Sequence, residues 1–163
     1  MIPAFSNQDL WSRVEAATNS WMGTPYRRMW IKKGRGADCS LFLGAVLQEV
    51  GIVQKVECPN YPPDWFYHTK FELIRTCFSA NIASNMSPGF SLVESVGVPS
   101  DLMRGDVVGF SMVKATGVTN HVGMLLNPPD SFVHSVQSRG VSVMHWGDYW
   151  AERVTFTYRV MEV

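Results

Sequence analysis

Leu10, Trp11, Val14, Ala17 and Trp21 recur at steps of three and four between polar residues, the spacing of one apolar helix face. The pattern predicts an amphipathic helix over 7–22, capped by Ser6 or Asn7 and stopped by Gly23-Thr24-Pro25. Residues 26–38 read as a loop containing Gly34 and Gly36. From Asp38 the chain is apolar on most sides, through Leu41, Leu43, Ala45, Val46, Leu47 and Val50, until Gly51 stops it. A helix of that kind is buried, not laid on a surface. Asp38 is its predicted N-cap, which puts Cys39 in the first turn. Prolines at 59, 62 and 63 make 54–64 irregular. A third helix is predicted over 65–83, capped by Asp64, with Tyr67, Phe71, Ile74, Phe78 and Ile82 on one stripe. Residues 84–104 read as loop with a short strand at 91–96.

After Gly105 the period changes. Runs at 106–112, 121–126, 131–136, 141–144 and 153–160 are β-rich, and Asn127-Pro128-Pro129-Asp130 is a turn between two of them. Helices followed by strands predict an α+β fold, with N-terminal helices packed on a C-terminal antiparallel sheet of about five strands. The expected organisation is one domain over 1–163, with a helical insertion at about 54–104.

The 163 residues include 14 Lys+Arg and 14 Asp+Glu, so no net charge draws the chain to nucleic acid or an anionic membrane. Arg27, Arg28, Lys32, Lys33 and Arg35 cluster locally, which reads as a solvated loop. Cys39, Cys58 and Cys77 cannot all pair with one another and show no C-x-x-C spacing, as suits folding in a reducing compartment. The N-terminus has no basic start followed by an apolar run, and no stretch approaches the ~20 apolar residues of a membrane span. The expectation is synthesis in the cytoplasm without a signal peptide.

Cys39 is the thiol placed for chemistry. Unpaired N–H groups and the macrodipole at a helix start favour a thiolate, so its pKa is expected to fall. Cys58 lies before Pro59 and Cys77 within the third helix, where neither gains that effect. A cysteine nucleophile needs a base, and the base an orienting partner. Across a hairpin with an even loop at 127–130, strand alternation puts His121 and His134 on one face, with Cβ atoms up to about 7–8 Å apart. Tyr26 follows the first-helix terminator, where its hydroxyl either nears the Cys39 turn or packs facing solvent. The Cys39 N–H is a candidate oxyanion donor. Trp146, Tyr149 and Trp150 either wall a groove or pack in the core. His68 and His145 receive no role, and no paired-ligand spacing supports a metal site at Cys39, His121 and His134.

Taken in order, Gly23-Thr24-Pro25-Tyr26, Ala37-Asp38-Cys39-Ser40, Arg104-Gly105-Asp106-Val107-Val108, Asn120-His121-Val122-Gly123-Met124 and Phe132-Val133-His134-Ser135 resemble the NlpC-type cell-wall peptidase family, which has a papain-like fold. The resemblance covers about 7–136. It implies Cys39 as nucleophile, His121 as base and His134 as orienting residue. It also implies Tyr26 beside the thiolate, Asp38 and Ser40 on the free amine of a stem peptide, and no cofactor. The implied partner is the peptidoglycan stem peptide, often cut between D-glutamate and a diamino acid. Tyr61-Pro62-Pro63-Asp64-Trp65 and the insertion after it resemble the phage-encoded branch of tail modules and gene-transfer-agent-like clusters. That branch implies phage tail proteins as further partners, delivery by the particle and action at the cell wall. Leu41 stands where many members carry Gly, and the stretch from Cys39 to His121 is longer than in compact members. Acyl transfer, deamidation, or a catalytically silent part of a tail assembly stay open as alternatives.

Overall fold

In the computed structural model, which describes residues 1–57, 60–127 and 129–163, the Asn7 side chain accepts from the Asp9 and Leu10 N–H groups. It thereby caps α1 (Gln8–Trp21), which buries Leu10, Trp11, Val14, Thr18 and Trp21. Asp38 caps α2 (Cys39–Glu49) through the Leu41 N–H, and nearly every side chain of α2 is buried. Gly44 lets α2 approach Val56, since a Cβ there would lie 2.7 Å from a Val56 methyl. Three very short strands flank α1: β1 (Ile2–Pro3) before it, and after it a hairpin of β2 (Ile31–Lys32) with β3 (Gly36–Ala37). The hairpin replaces the plain loop expected over 26–38.

The segment expected as an insertion departs most from expectation. In place of one helix over 65–83 there are α3 (Trp65–His68), α4 (Leu73–Cys77) and a π-helical turn at Phe78–Ile82. Thr69 is extended and its hydroxyl accepts the Phe71 N–H, which ends α3 after one turn. Asp64 makes no cap and instead pairs with His68 at 2.7 Å. The expected stripe divides at this break. Ile74, Phe78 and Ile82 are buried, whereas Tyr67 and Phe71 are 61% and 55% exposed.

The remaining strands are β4 (Phe90–Val96), β5 (Val107–Phe110), β6 (His121–Leu125), β7 (Ser131–Val136), β8 (Gly140–His145) and β9 (Val154–Glu162). Among the described residues they build, with β1, an antiparallel seven-stranded sheet ordered β1-β9-β5-β6-β7-β8, with β4 also on β9. The expected five strands are therefore corrected to seven, plus the two-stranded hairpin. Tyr158 lies opposite both Glu94 and Val107, and Met161 opposite both Ser91 and Pro3, so β9 is central. Strand β4 is the short strand expected at 91–96, begun one residue earlier, and its half-buried faces alternate only weakly. The foot of β5 is tied to β9 by Asp106, which takes Arg159 Nε at 2.8 Å and Nη2 at 2.7 Å. Helix α2 packs across β6 and β7, and that contact positions the site. The expected turn at 127–130 is closed by the Leu126 N–H on the Ser131 carbonyl at 2.9 Å, although Pro128 itself lies outside the described residues. Cys58 and Pro59 likewise lie outside them.

Candidate active site

Local hydrogen bonding explains why the chain sets Tyr26 against Cys39. Gly23, at φ 78°, donates to the Val141 carbonyl, and Thr24 returns its own carbonyl to the Val141 N–H. The Thr24 hydroxyl accepts the Gly34 N–H, and the Pro25 carbonyl takes the Ala37 N–H. Tyr26 then bridges to Ala37, two residues before the thiol. On the other flank, the Ser135 hydroxyl of β7 donates to the Ala37 carbonyl at 2.8 Å. The turn that carries Cys39 is thus clamped between the first-helix terminator and the sheet.

Cys39 and His121 line one cleft of about 280 Å³. Tyr26, Asn120 and Ser135 lie on its polar side, and Pro63, Phe66, Met112 and Trp150 supply apolar walls. Of the three aromatics considered from sequence, Trp150 lines the cleft. Trp146 packs with Phe110 and Phe132 beside it, and Tyr149 is exposed under the Arg153 guanidinium. Pro63 and Phe66 come from the insertion, and no sequence signal marked them.

The register Met124↔Val133 and Leu125↔Phe132 puts His121 and His134 on the same face, diagonally across the hairpin. Their ring centroids are 5.0 Å apart and His121 Nε2 lies 2.8 Å from His134 Nδ1. His121 is held flat against Phe110, its cross-strand neighbour, at 6.0 Å. With Nε2 so engaged, Nδ1 is the other nitrogen His121 can offer. An imidazolium at His121 donates from both nitrogens, so His134 must then accept on Nδ1 and carry its own proton on Nε2. That Nε2 is buried and has no hydrogen-bond partner among the described residues.

Burial governs the charges here. The Cys39 thiol is pushed up to about 12, first by burial and then by the Asp38 carboxylate, against which the Val122, Ser40 and Cys39 backbone groups act. The expected fall in its pKa is therefore corrected. A helix terminus is worth about 0.3–1 kcal/mol, and removing a charge from water outweighs it. His121 is pushed down to about 3 by burial and then by His134, and His134 to about 4 by burial and then Arg139. At neutral pH these shifts favour the neutral forms of both thiol and imidazole. Burial first, then the Cys39 and Asp38 charges, raises the Tyr26 phenol.

Asp38 is 1% exposed, and burial raises its carboxyl against hydrogen bonds from Leu41, Met29, Ser40 and Tyr61. Its side chain faces these groups, with Ser40 Oγ at 3.2 Å. Cys77 closes α4 half-buried, and His68 and His145 stand exposed, away from the cleft. Among the described residues, no cluster of three or more His, Cys, Asp or Glu is placed to hold a metal ion, and no helix is long and apolar enough to cross a membrane.

Fold and cleft together define an α+β protein in which a helix-borne thiol and a strand-borne imidazole line one groove, with a second imidazole buried behind the first. The chain belongs to the NlpC/P60 family, whose model matches residues 23–159. Among solved structures it is similar to an NlpC/P60 family protein from Bacillus cereus (19% identity, TM-score 0.57, covering 90% of this chain and 38% of that one). It is also similar to an NLP/P60 family lipoprotein-like protein from Staphylococcus aureus (16%, 0.58, covering 96% and 43%). The chain thus spans less than half the length of either. A third match is the NlpC/p60 domain of the peptidoglycan hydrolase SagA (18%, 0.53, covering 90% and 95%). At these identities the likeness is one of fold. No curated protein gives a significant match.

Proposed function

We propose that this chain is a papain-like cysteine peptidase that hydrolyses amide bonds in peptidoglycan stem peptides. The observation that carries the reading is that His121, which lines one cleft with Cys39, is held from behind by the buried His134, its Nε2 lying 2.8 Å from His134 Nδ1. Because both groups rest neutral, the proton moves as the bond forms. Cys39 Sγ attacks the carbonyl carbon while His121 Nδ1 takes the thiol proton, and His134 Nδ1 accepts the Nε2–H of the resulting imidazolium. The Cys39 N–H, at the start of α2, faces the developing oxyanion. His121 returns the proton to the leaving amine, and water then resolves the thioester to the acid and the thiol.

Family membership and the hydrolase named among the similar structures support peptidoglycan as substrate, with the bond between D-glutamate and a diamino acid as the first to test. Asp38 and Ser40 are the proposed seat of the stem-peptide amine. The phage-encoded placement, with delivery by a particle and action at the wall, rests on Tyr61-Pro62-Pro63-Asp64-Trp65 and the insertion that follows. Purified peptidoglycan digested with wild type and Cys39→Ala is the test. Fragment release should fall on the order of 10⁴-fold or more in the variant with its melting curve retained. Equal release by the two proteins would sink the proposal.

A further inference from the structure

The Asp38 carboxylate has no acceptor position to spare. Oδ1 accepts from the Leu41 N–H at 2.8 Å and the Ser40 hydroxyl at 3.2 Å. Oδ2 accepts from the Met29 N–H at 2.9 Å and the Tyr61 hydroxyl at 3.3 Å. An ionised carboxylate offers about four such positions. Any cation that binds this group must displace a donor. Two of the donors are backbone groups, one of them fixed by the α2 cap and the other by the turn before β2. Ser40 belongs to the first turn of α2 itself. Tyr61 is 23 residues away and makes the longest of the four bonds. It stands in an exposed stretch of the insertion, tied down by the Arg28 guanidinium, which donates to the Tyr61 carbonyl and lies over its ring at 5.9 Å. Two residues further, Pro63 begins the wall of the Cys39 cleft.

An ammonium brings the carboxylate a full opposite charge that the hydroxyl lacks, and the Tyr61 bond is already long at 3.3 Å, so the exchange runs in favour of the cation. We infer that Tyr61 is a specificity-determining residue: its hydroxyl keeps the seat on Asp38 that a substrate's primary ammonium takes, and the exchange selects substrates with a free amine. The inference rests on the stem-peptide reading above. It also gives the exchange a consequence for chemistry, because the Asp38 charge is one of the two influences that hold the neighbouring thiol protonated. An ammonium seated there offsets that charge only when substrate is present.

The test compares wild type and Tyr61→Phe on the tripeptide L-alanyl-D-glutamyl-diamino acid, with its N-terminus free or acetylated. Losing the competing hydroxyl should lower KM about tenfold for the free amine, the lower end for a hydrogen bond to a charged group, with kcat little changed. KM for the acetylated peptide should stay put. A merely loosened wall would move both substrates alike, and such a common shift, or no shift for the free amine, overturns the inference. Ser40→Ala runs alongside, and a drop in free-amine KM confined to that variant would give the seat to Ser40 instead. A second readout needs no change at Tyr61. In Cys39→Ala, the Trp65 ring 6.3 Å from Tyr61 should report seating of the free-amine tripeptide through its emission. Equal responses to the free and acetylated forms overturn the inference, whereas a wild type that cleaves neither peptide fails the stem-peptide reading alone.

Discussion

The floor and the wall of the cleft are built differently. The floor is α2 and strands β5 to β7, where buried residues run almost without interruption: all four of β5, all five of β6, and most of α2. The wall is the stretch from Tyr61 to Glu72, in which Trp65 alone is buried. Polar ties hold it instead: Arg28 to the Tyr61 carbonyl, Tyr61 to Asp38, Lys70 to the Thr116 carbonyl at 3.1 Å, and Glu72 to the Thr119 N–H at 3.2 Å. From Ile74 onward the insertion joins the core again, with Phe78 stacked on Tyr158 at 5.6 Å. A floor packed this way holds reacting groups to one geometry, whereas a wall pinned by a few surface bonds can be rearranged without disturbing them.

The largest effect expected separates chemistry from contact. His121→Ala should lower kcat by on the order of 10³- to 10⁴-fold with the fold retained, since the base is lost outright. Phe66→Ala removes an apolar wall residue and should raise KM about tenfold while kcat stays within a few fold. Steady-state kinetics on a stem-peptide fragment read both. Equal losses of kcat in the two variants would erase the division between floor and wall.

Next comes stability. Asp106 is 1% exposed and holds Arg159 through two bonds at the foot of β5. Asp106→Ala strands that guanidinium beside β9 with Asp101 as its remaining carboxylate, at 2.9 Å. A cost of about 3–5 kcal/mol is expected in urea unfolding. A cost below 1 kcal/mol would show the sheet indifferent to this tie.

How far the chain could be read ahead of its structure follows the same division. His121 and His134 were legible because alternation fixes the face of a strand residue, and Cys39 because Asp38 and Gly51 bracket an apolar run. The ties of the wall were not, since a bond from Tyr61 to Asp38 spans 23 residues and leaves no local period. Arg159 on Asp106, 53 residues apart, is hidden for the same reason. The long third helix failed at Thr69 and Lys70, where a side-chain bond to the Phe71 N–H competes with the helical ladder. The direction of the Cys39 shift was misread because the dipole was weighed alone, without the burial that the apolar run of α2 already implied.

Acidification should act on the floor. His121 and His134 are held to about 3 and about 4 in the fold, against 6.5 in an unfolded chain. A depressed histidine contributes stability above its unfolded value, and that contribution is lost as pH falls towards the folded one. Between pH 6.5 and 4 the unfolded chain therefore binds up to two more protons than the fold, a slope of roughly 2–3 kcal/mol per pH unit at its steepest. His134→Gln should flatten the fall in melting temperature over that window. An unchanged slope would mean that the ring is not kept neutral by its surroundings.

The smallest effect is the one most particular to the wall. Glu72 receives the Thr119 N–H with both carboxylate oxygens, at 3.2 and 3.3 Å, two residues before His121. Thr119 is fully buried, so Glu72→Ala leaves a buried N–H without its acceptor. That costs about 1–2 kcal/mol, equivalent to a few degrees in melting temperature. Where the cost falls is the informative part. If the wall opens as a unit of its own, amide exchange at Thr119 should speed up about tenfold or more, while amides of β6 and β7 keep exchanging only through global unfolding. If instead the amides of β6 and β7 accelerate by the same factor as Thr119, the wall and the floor open together, and the insertion belongs to one cooperative unit with the sheet that carries the two histidines.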